Sequence, residues 1–443
     1  MQPQGYIPRL IDEQIETLLQ IFGAVQIDGP KWCGKTWSGQ AHANSMTSLD
    51  DQNVLPLAEA DPTIALIGEQ PHLIDEWQTA PKVRDAVRHD IDSHSNRPGQ
   101  YILTGSSAPP TEAYEHSGAG RIAHLRMWPM SLVELGKSSG VVSLQGLFAS
   151  NCPQAAASSS LTDIAEWVCR GGWPASKDRS LQAALYIPRQ YLDVVIEDNA
   201  PRMGKNPAMT RRTIMSLARN NATAATMKTL IRDLYADDQA QDEEPARSTV
   251  SSYIQMLQRE YLIEELPCWN APIKAKNRMR VKPKRYFTDP SLAAAALGLT
   301  PTRLLTEGQI LGDLFENLAI RDLRIYASAW NGPDKPSLSF YRDEKGLEAD
   351  IILELPDGRW AAIEIKLGEN KVPEAVESLL QVKKKVTANP YARQRDPSFL
   401  MVLVGNGAYS YTTARASVWC RYPCSEPKQN NPFPPLDGAI RPW

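Results

Sequence analysis

Ala24-Val25-Gln26-Ile27-Asp28-Gly29-Pro30-Lys31-Trp32-Cys33-Gly34-Lys35-Thr36 is the stretch on which the reading of this chain turns. A mostly apolar run enters Gly29, four residues intervene, and Gly34-Lys35-Thr36 follows. This is the G-x-x-x-x-G-K-S/T spacing of a phosphate-binding loop. Backbone N–H groups converge on a triphosphate only where the chain curls tightly, and glycine permits that curl. In this reading Lys35 brings its charge to the β- and γ-phosphates, and the Thr36 hydroxyl ligates Mg²⁺. A helix expected after the loop adds its positive N-terminal end. Gly29, Pro30, Lys31, Trp32, Cys33, Gly34, Lys35 and Thr36 are thus the expected nucleotide-binding residues.

Upstream, Ile11, Ile15, Leu18, Leu19 and Phe22 mark one face of a helix that packs beside the first strand. Downstream, Leu49-Asp50-Asp51 reads as a strand end, and Asp61-Pro62 opens a short turn or helix. The second motif is His72-Leu73-Ile74-Asp75-Glu76-Trp77, an apolar strand ending in adjacent acids. Asp75 would hold Mg²⁺ directly or through water, and Glu76 would polarise the attacking water as general base. Gln100 to Ser107 is a third buried strand, ending in hydroxyls. Thr104 or Ser106 would bond the attacking water or the γ-phosphate, and simple turn chemistry accounts for either residue nearly as well. Arg121 lies in a glycine-bearing segment. It is either an arginine finger acting across the interface of a homo-oligomer or an ordinary surface arginine.

Together these residues resemble the AAA-type ATPases of bacteria and archaea that carry a C-terminal domain of poorly defined function. The resemblance rests on Gly29 to Thr36, on Leu73-Ile74-Asp75-Glu76-Trp77-Gln78 followed by Ala80-Pro81, and on Leu103-Thr104-Gly105-Ser106-Ser107. It continues in Gly120-Arg121 and in Trp128-Pro129-Met130-Ser131-Leu132-Val133-Glu134-Leu135. It implies an α/β P-loop NTPase domain over residues 1–150, with parallel strands between helices, ATP and Mg²⁺ as cofactors, and ATP hydrolysis. The bulky Trp32-Cys33 pair departs from the family, where smaller residues are usual. Gly171-Gly172-Trp173-Pro174 is a turn that the family also carries, with no chemistry assigned to it.

A chain of 443 residues is too long for one core, and roughly two to four domains are expected. The net charge of −3 says nothing about partners, so any nucleic-acid surface has to be local. No apolar run reaches the ~18 residues of a membrane span. The first nine residues lack the basic-then-apolar pattern of a secretory signal. Six cysteines over this length form no disulfide framework. Cys420 and Cys424 lack the second pair a metal site needs, so free thiols and a cytoplasmic location are expected.

Residues 151–200 read as a linker and helical lid, with an Ala- and Ser-rich surface segment from Asn151 to Thr162. Charge then becomes local. Between Asn199 and Arg232 stand Arg202, Lys205, Arg211, Arg212, Arg219, Lys228 and Arg232, with no acid among them. Helical patterns at 208–220, 223–235 and 248–260, an acidic loop from Asp237 to Glu244 and a strand at 261–266 suggest a winged helix-turn-helix within 201–290. Its recognition helix would begin at Thr249 to Tyr253. Lys274, Lys276, Arg278, Arg280, Lys282 and Lys284 recur at every second position, so in an extended chain all six share one face. That face suits DNA phosphates, and DNA is the expected partner. The competing reading is a solvated edge strand whose charges block edge pairing.

Residues 291–420 carry a second chemical site. A helix over Gly312 to Ile320 precedes strands at 338–342, 347–355 and 360–366, the last two joined by a Pro356-Asp357-Gly358 turn. Burying Ile351, Leu353 and Leu355 on the same side as Ala361, Ile363 and Ile365 fixes an even register. Asp350 then lies opposite or diagonal to Glu364 on the other face, about 5 Å away if directly opposite. Carboxylates that close repel unless a divalent cation lies between them. Lys366 shares their face and would hold a water or offset phosphate charge; an exposed ion pair with Glu364 is the structural alternative. This arrangement resembles the PD-(D/E)xK superfamily of restriction-endonuclease-like and Holliday-junction-resolving nucleases. The resemblance implies metal ligands at Asp350, Glu364 and Glu316 and a catalytic lysine at Lys366, with Pro373 to Val386 as the next helix. The same scaffold also serves as a binding domain without cleavage. Residues 421–443, rich in proline, read as a loosely packed tail.

Overall fold

Five parallel strands built from the first 126 residues carry the loop: β1 (Ala24–Asp28), β2 (Ser45–Ser48), β3 (His72–Asp75), β4 (Tyr101–Gly105) and β5 (Ile122–Arg126), in the spatial order β2-β3-β4-β1-β5. The computed structural model describes residues 3–107, 118–151, 153, 159–235, 245–269, 281–330, 332–390 and 396–406, and the backbone of 411–412 and 417–420. Strands buried on both faces need helices on both. The helix Asp12–Leu19 presents Ile15 to Val25 and Ile27 on one face. The helix Lys82–Ser93 presents Val83, Val87 and Ile91 to Ala24, Ile74 and Leu103 on the other. The expected turn at Asp61-Pro62 is a short 3-10 helix, Pro62–Leu66, in which the Asp61 carboxylate accepts the Thr63 N–H.

Among its described residues the middle region is built of helices and a two-stranded ladder. Helices Pro207–Arg219, Met227–Tyr235 and Arg247–Arg259 precede β6 (Ile263–Leu266), which pairs antiparallel with β7 (Lys284–Phe287). The second of these helices starts four residues later than its periodicity suggests. Thr223 is taken up in a bridge to Arg285, so its backbone is committed to the ladder. The acidic loop, Lys274 to Arg280 and the tail from 421 lie outside the described residues.

Strands β8 (Ser337–Arg342), β9 (Glu348–Glu354), β10 (Trp360–Gly368), β11 (Phe399–Asn406), β12 (Tyr411–Thr412) and β13 (Ser417–Cys420) form the second sheet, in the order β12-β13-β11-β10-β9-β8. The helix Gly308–Ser328 covers one face and Val372–Thr387 the other. The β9–β10 register is the even one: Leu353 faces Ala361 and Ile351 faces Ile363. Gly358, at φ 88°, closes the hairpin in a backbone region that favours glycine. The middle region and the inner face of this sheet share one apolar core, in which Leu257, Phe287, Phe315, Leu318 and Ile363 are buried together.

Candidate functional site

Parallel register brings the ends of β1, β3 and β4 to one edge of the first sheet, with Asp28 beside Gly105 and Asp75 beside Thr104. Open α/β sheets hold ligands at that edge. A Cβ on Gly29 would lie 2.3 Å from the Met127 carbonyl oxygen, and Gly34 sits at φ 102°, so both glycines are required by the path of the loop. The bulky pair is accommodated by turning its members apart. Cys33 is fully buried, whereas Trp32 is half exposed and packs edge-on against Tyr191 at 5.5 Å. Lys35 Nζ donates to the Pro30 carbonyl (2.7 Å), and the Thr36 hydroxyl donates to Asp75 Oδ1 (3.0 Å).

The two hydroxyls left open by the sequence part company here. Thr104 is fully buried beside Asp75, packed under Gly39 of the helix Lys35–Ala41, and donates to the same Oδ1, so it does not line the cleft as expected. Ser106 lines the cleft and donates to Glu76 Oε2 (2.8 Å), which also accepts from the Gln78 amide. Glu76 itself sits at φ 55°, a conformation uncommon outside glycine. Burial raises the Asp75 carboxyl, helped by the Glu76 charge and opposed by hydrogen bonds from Thr104 and Thr36 and by the Lys35 charge. Arg121 lies at the opposite edge of the sheet, just before β5, where Ala24 pairs with Ile122. It is bonded to Asp92 (2.8 Å) and cannot reach its own chain's loop.

The cleft above this edge has a volume of about 1180 Å³ and is not closed by the first sheet alone. Asn199, Arg202, Met203, Arg259 and Glu260 of the middle region line it as well, with Tyr6 from the N-terminal segment. Lys31 Nζ donates to Asn199 Oδ1 (3.3 Å), and Asn199 donates to the buried Glu260. These contacts come from residues with no recognisable motif, and sequence reading missed them. It also missed Arg9. Its buried guanidinium donates to Glu134 (2.8 Å), to the Cys33 carbonyl inside the loop (2.7 Å) and to the Trp128 carbonyl (2.9 Å).

A second polar cluster lies at the second sheet. Asp350 and Glu364 sit on facing positions of β9 and β10 by continuation of the observed register, and both are buried. Lys366 Nζ is 2.6 Å from Glu364 Oε2 and 3.6 Å from Asp350 Oδ2. Glu316, from the helix Gly308–Ser328, joins them, so the four residues expected to meet do meet. The fifth member is a correction. Lys284, read as one of six lysines and arginines on an outward phosphate-binding face, is buried on β7. Its ammonium lies 3.1 Å from Glu316, 2.5 Å from Glu348 and 3.6 Å from Asp350. Carboxylates on the helix Gly308–Ser328 and on β9 draw this side chain inward, away from solvent. Burial raises the Glu364 carboxyl to about 8, with the Asp350 charge adding to it and Lys366 opposing. Burial and Asp350 likewise push Glu316 up to about 7, against Lys284. Asp350 is held low: burial works against it, and Lys284, Lys366 and the Ile365 N–H overcome that penalty. Among the described residues, no three His, Cys, Asp or Glu side chains converge as metal ligands.

Three family models match separate segments. Residues 22–136 match an AAA domain, residues 161–303 a domain of unknown function (DUF8612), and residues 311–420 another domain of unknown function (DUF4143). No curated protein sequence matches the chain. Solved structures similar to it include a Walker-type ATPase of Pyrococcus abyssi, at 10% identity over 67% of this chain and 97% of that one, with a TM-score of 0.41. The ORC2 protein of Aeropyrum pernix, solved as ADPNP-ADP complexes, is similar at 12% identity, 69% and 98% coverage and a TM-score of 0.31. A RuvB variant of Thermotoga maritima is similar at 15% identity, 58% and 89% coverage and a TM-score of 0.27. Likenesses at these scores leave the reading to the chain's own features. The five-stranded parallel sheet, the loop at its edge and the matching segment agree: residues 22–136 form an AAA-type α/β P-loop domain. Among the described residues no helix is long and apolar enough to cross a membrane.

Proposed function

We propose that this chain binds and hydrolyses ATP at the cleft over Gly29 to Thr36, and that the middle region senses the nucleotide. The observation that carries this reading is the convergence of Lys35, Thr36, Asp75 and Glu76 on one cleft whose far wall is Asn199, Arg202, Met203, Arg259 and Glu260. The hydroxyl of Thr36 and the carboxylate of Asp75 are adjacent hard oxygen donors, a set that suits Mg²⁺. When bound, the ion would offset charge on the β- and γ-phosphates. Lys35 would bind the same phosphates, Thr104 would orient Asp75, and Glu76, held by Ser106 and Gln78, would accept a proton from the attacking water. Lys35→Ala should abolish ATP turnover while leaving the thermal melt intact; unchanged turnover would contradict the site. Arg121, remote from its own loop, would act only in a neighbouring copy. Turnover per subunit should then rise with protein concentration, and a flat profile argues for a surface role.

DNA is the partner we infer for the middle region, from its ladder-and-helix arrangement and from the exposed Arg202, Arg219, Lys228 and Arg232. Affinity for duplex DNA should fall steeply with salt, and salt-insensitive binding would retire the idea. For the nuclease-like domain, the reading without strand cleavage has the specific support, because its carboxylates are already paired with ammonium groups. Plasmid nicking by the wild type with Mg²⁺, lost in Asp350→Ala, would overturn that reading.

A further inference from the structure

The second cluster was expected to take a divalent cation between Glu316, Asp350 and Glu364. Its donor chemistry does not fit one as it stands. The carboxylates of Glu316, Glu348 and Asp350 converge on a nitrogen, Lys284 Nζ, at 3.1, 2.5 and 3.6 Å. The ammonium lies within hydrogen-bond distance of Glu316 and Glu348, and Asp350 is an ion-pair neighbour just beyond it. The lysine is not a surface residue that happens to fold inward: its side chain is 6% exposed and Glu316 is further fixed by the Tyr286 hydroxyl (2.6 Å). On the other side of Asp350, Lys366 serves Glu364, and the Ile365 N–H serves Asp350 Oδ2 (2.8 Å). A hard divalent ion needs several free oxygen donors around one point, and here that point holds a protein cation.

We infer that Lys284, delivered by β7 of the middle region, is the built-in cation of the Glu316–Glu348–Asp350 cluster, and that removing its ammonium opens a latent divalent-cation site in the C-terminal domain. The inference rests on the non-cleaving reading of this domain and extends it. Two positive charges cannot share one small oxygen cage without strong repulsion, so lysine and metal are alternatives at this point. The lysine also ties the middle region to the second sheet, because β7 contributes the cation and β9 and the helix Gly308–Ser328 contribute the anions.

The test is a Mn²⁺ titration, by calorimetry and by paramagnetic resonance, of the full chain without nucleotide. Wild type, Lys284→Ala, Asp350→Asn and the double variant are compared, so that any ion held at Thr36 and Asp75 cancels. Lys284→Ala should gain one Mn²⁺ per chain at an Asp350-dependent site that wild type lacks. The gain should vanish in the double variant. Lys284→Ala should also melt lower in chelator and recover with Mn²⁺, with ATP turnover unchanged. An Asp350-dependent Mn²⁺ site already present in wild type overturns the inference, and so does a folded Lys284→Ala with no such site. Should Lys284→Ala fail to fold, Lys284→Met keeps the stem without the charge, and the wild-type comparison with Asp350→Asn still decides. Wild-type nicking would overturn the non-cleaving reading, whereas no nicking together with no gained ion would overturn only the lysine inference.

Discussion

Arg9 shows how one residue outside any motif can govern a motif. Its guanidinium and the Glu134 carboxylate are 4% and 3% exposed, and a second N–H of Arg9 holds the Cys33 carbonyl inside the phosphate loop. Removing one member of a buried pair leaves an uncompensated charge and typically costs ~3–5 kcal/mol. Arg9→Met should therefore lower the urea midpoint markedly and weaken ATP binding; a loss below ~1 kcal/mol would mean the pair is dispensable. The pH dependence follows from Glu134. Burial raises its carboxyl, and the Arg9 charge with hydrogen bonds from Arg9, Ser131 and Leu10 more than offsets that, leaving it below the usual range. A carboxyl depressed by folding contributes stability that is present above its unfolded pKa and lost as pH falls through the folded one. The gap between wild type and Arg9→Met should accordingly narrow in strong acid, and a pH-independent gap would point to packing alone. The meeting of Lys35, Thr36, Asp75 and Glu76 at one cleft was legible because their residue types and spacings follow a recognisable pattern. Arg9 and Glu134 are 125 positions apart and obey no spacing at all.

Among the elements, the helices and strands read from periodicity formed with shifted bounds: β2 ends at Ser48, before Leu49-Asp50-Asp51, and the helix read at Gly312 to Ile320 runs from Gly308 to Ser328. Two further departures came where one element borrowed from another. The helix starting at Met227 gave up its first residues to a bridge with β7, and Lys284 gave up solvent for three carboxylates. The Gly171-Gly172-Trp173-Pro174 turn, which had no chemistry assigned, is a structural junction. The Gly172 N–H donates to Asp289 (2.9 Å), the Gly172 carbonyl accepts from Met130 (2.6 Å), and Trp173 donates to Ser291 (2.9 Å). A Cβ at Gly172 would lie 2.1 Å from the Met130 carbonyl, so a larger residue has no room. Asp289 also pairs with the buried Arg321 (2.7 Å) and accepts the Ser291 N–H at the start of the helix Pro290–Ala296. Asp289→Ala should thus cost ~3–5 kcal/mol by chemical denaturation, well above the ~1 kcal/mol of a lost helix cap. A cost no larger than the cap alone would show that Arg321 is satisfied by its other partners.

At the scale of the whole molecule, the cleft joins the AAA-type domain to the middle region, and one apolar core joins the middle region to the second sheet. A ligand filling that cleft contacts both walls, so nucleotide with Mg²⁺ should slow amide exchange at 199–203 and 259–260 as well as at 29–36. Protection confined to the loop would argue against sensing by the middle region. The spatial order of the strands could not be read from the sequence, whereas the phosphate-loop spacing, the strand that ends in its acidic partner and the even register of β9 with β10 all could. Each depends on short-range constraints: a residue type, a spacing, or the rule that apolar side chains share a face. What closes the cleft, what pins the loop and what neutralises the C-terminal carboxylates were settled only by the tertiary structure. Those contacts join residues tens to hundreds of positions apart, and a buried charge finds its partner through the folded geometry, which leaves no pattern in the linear order of residues.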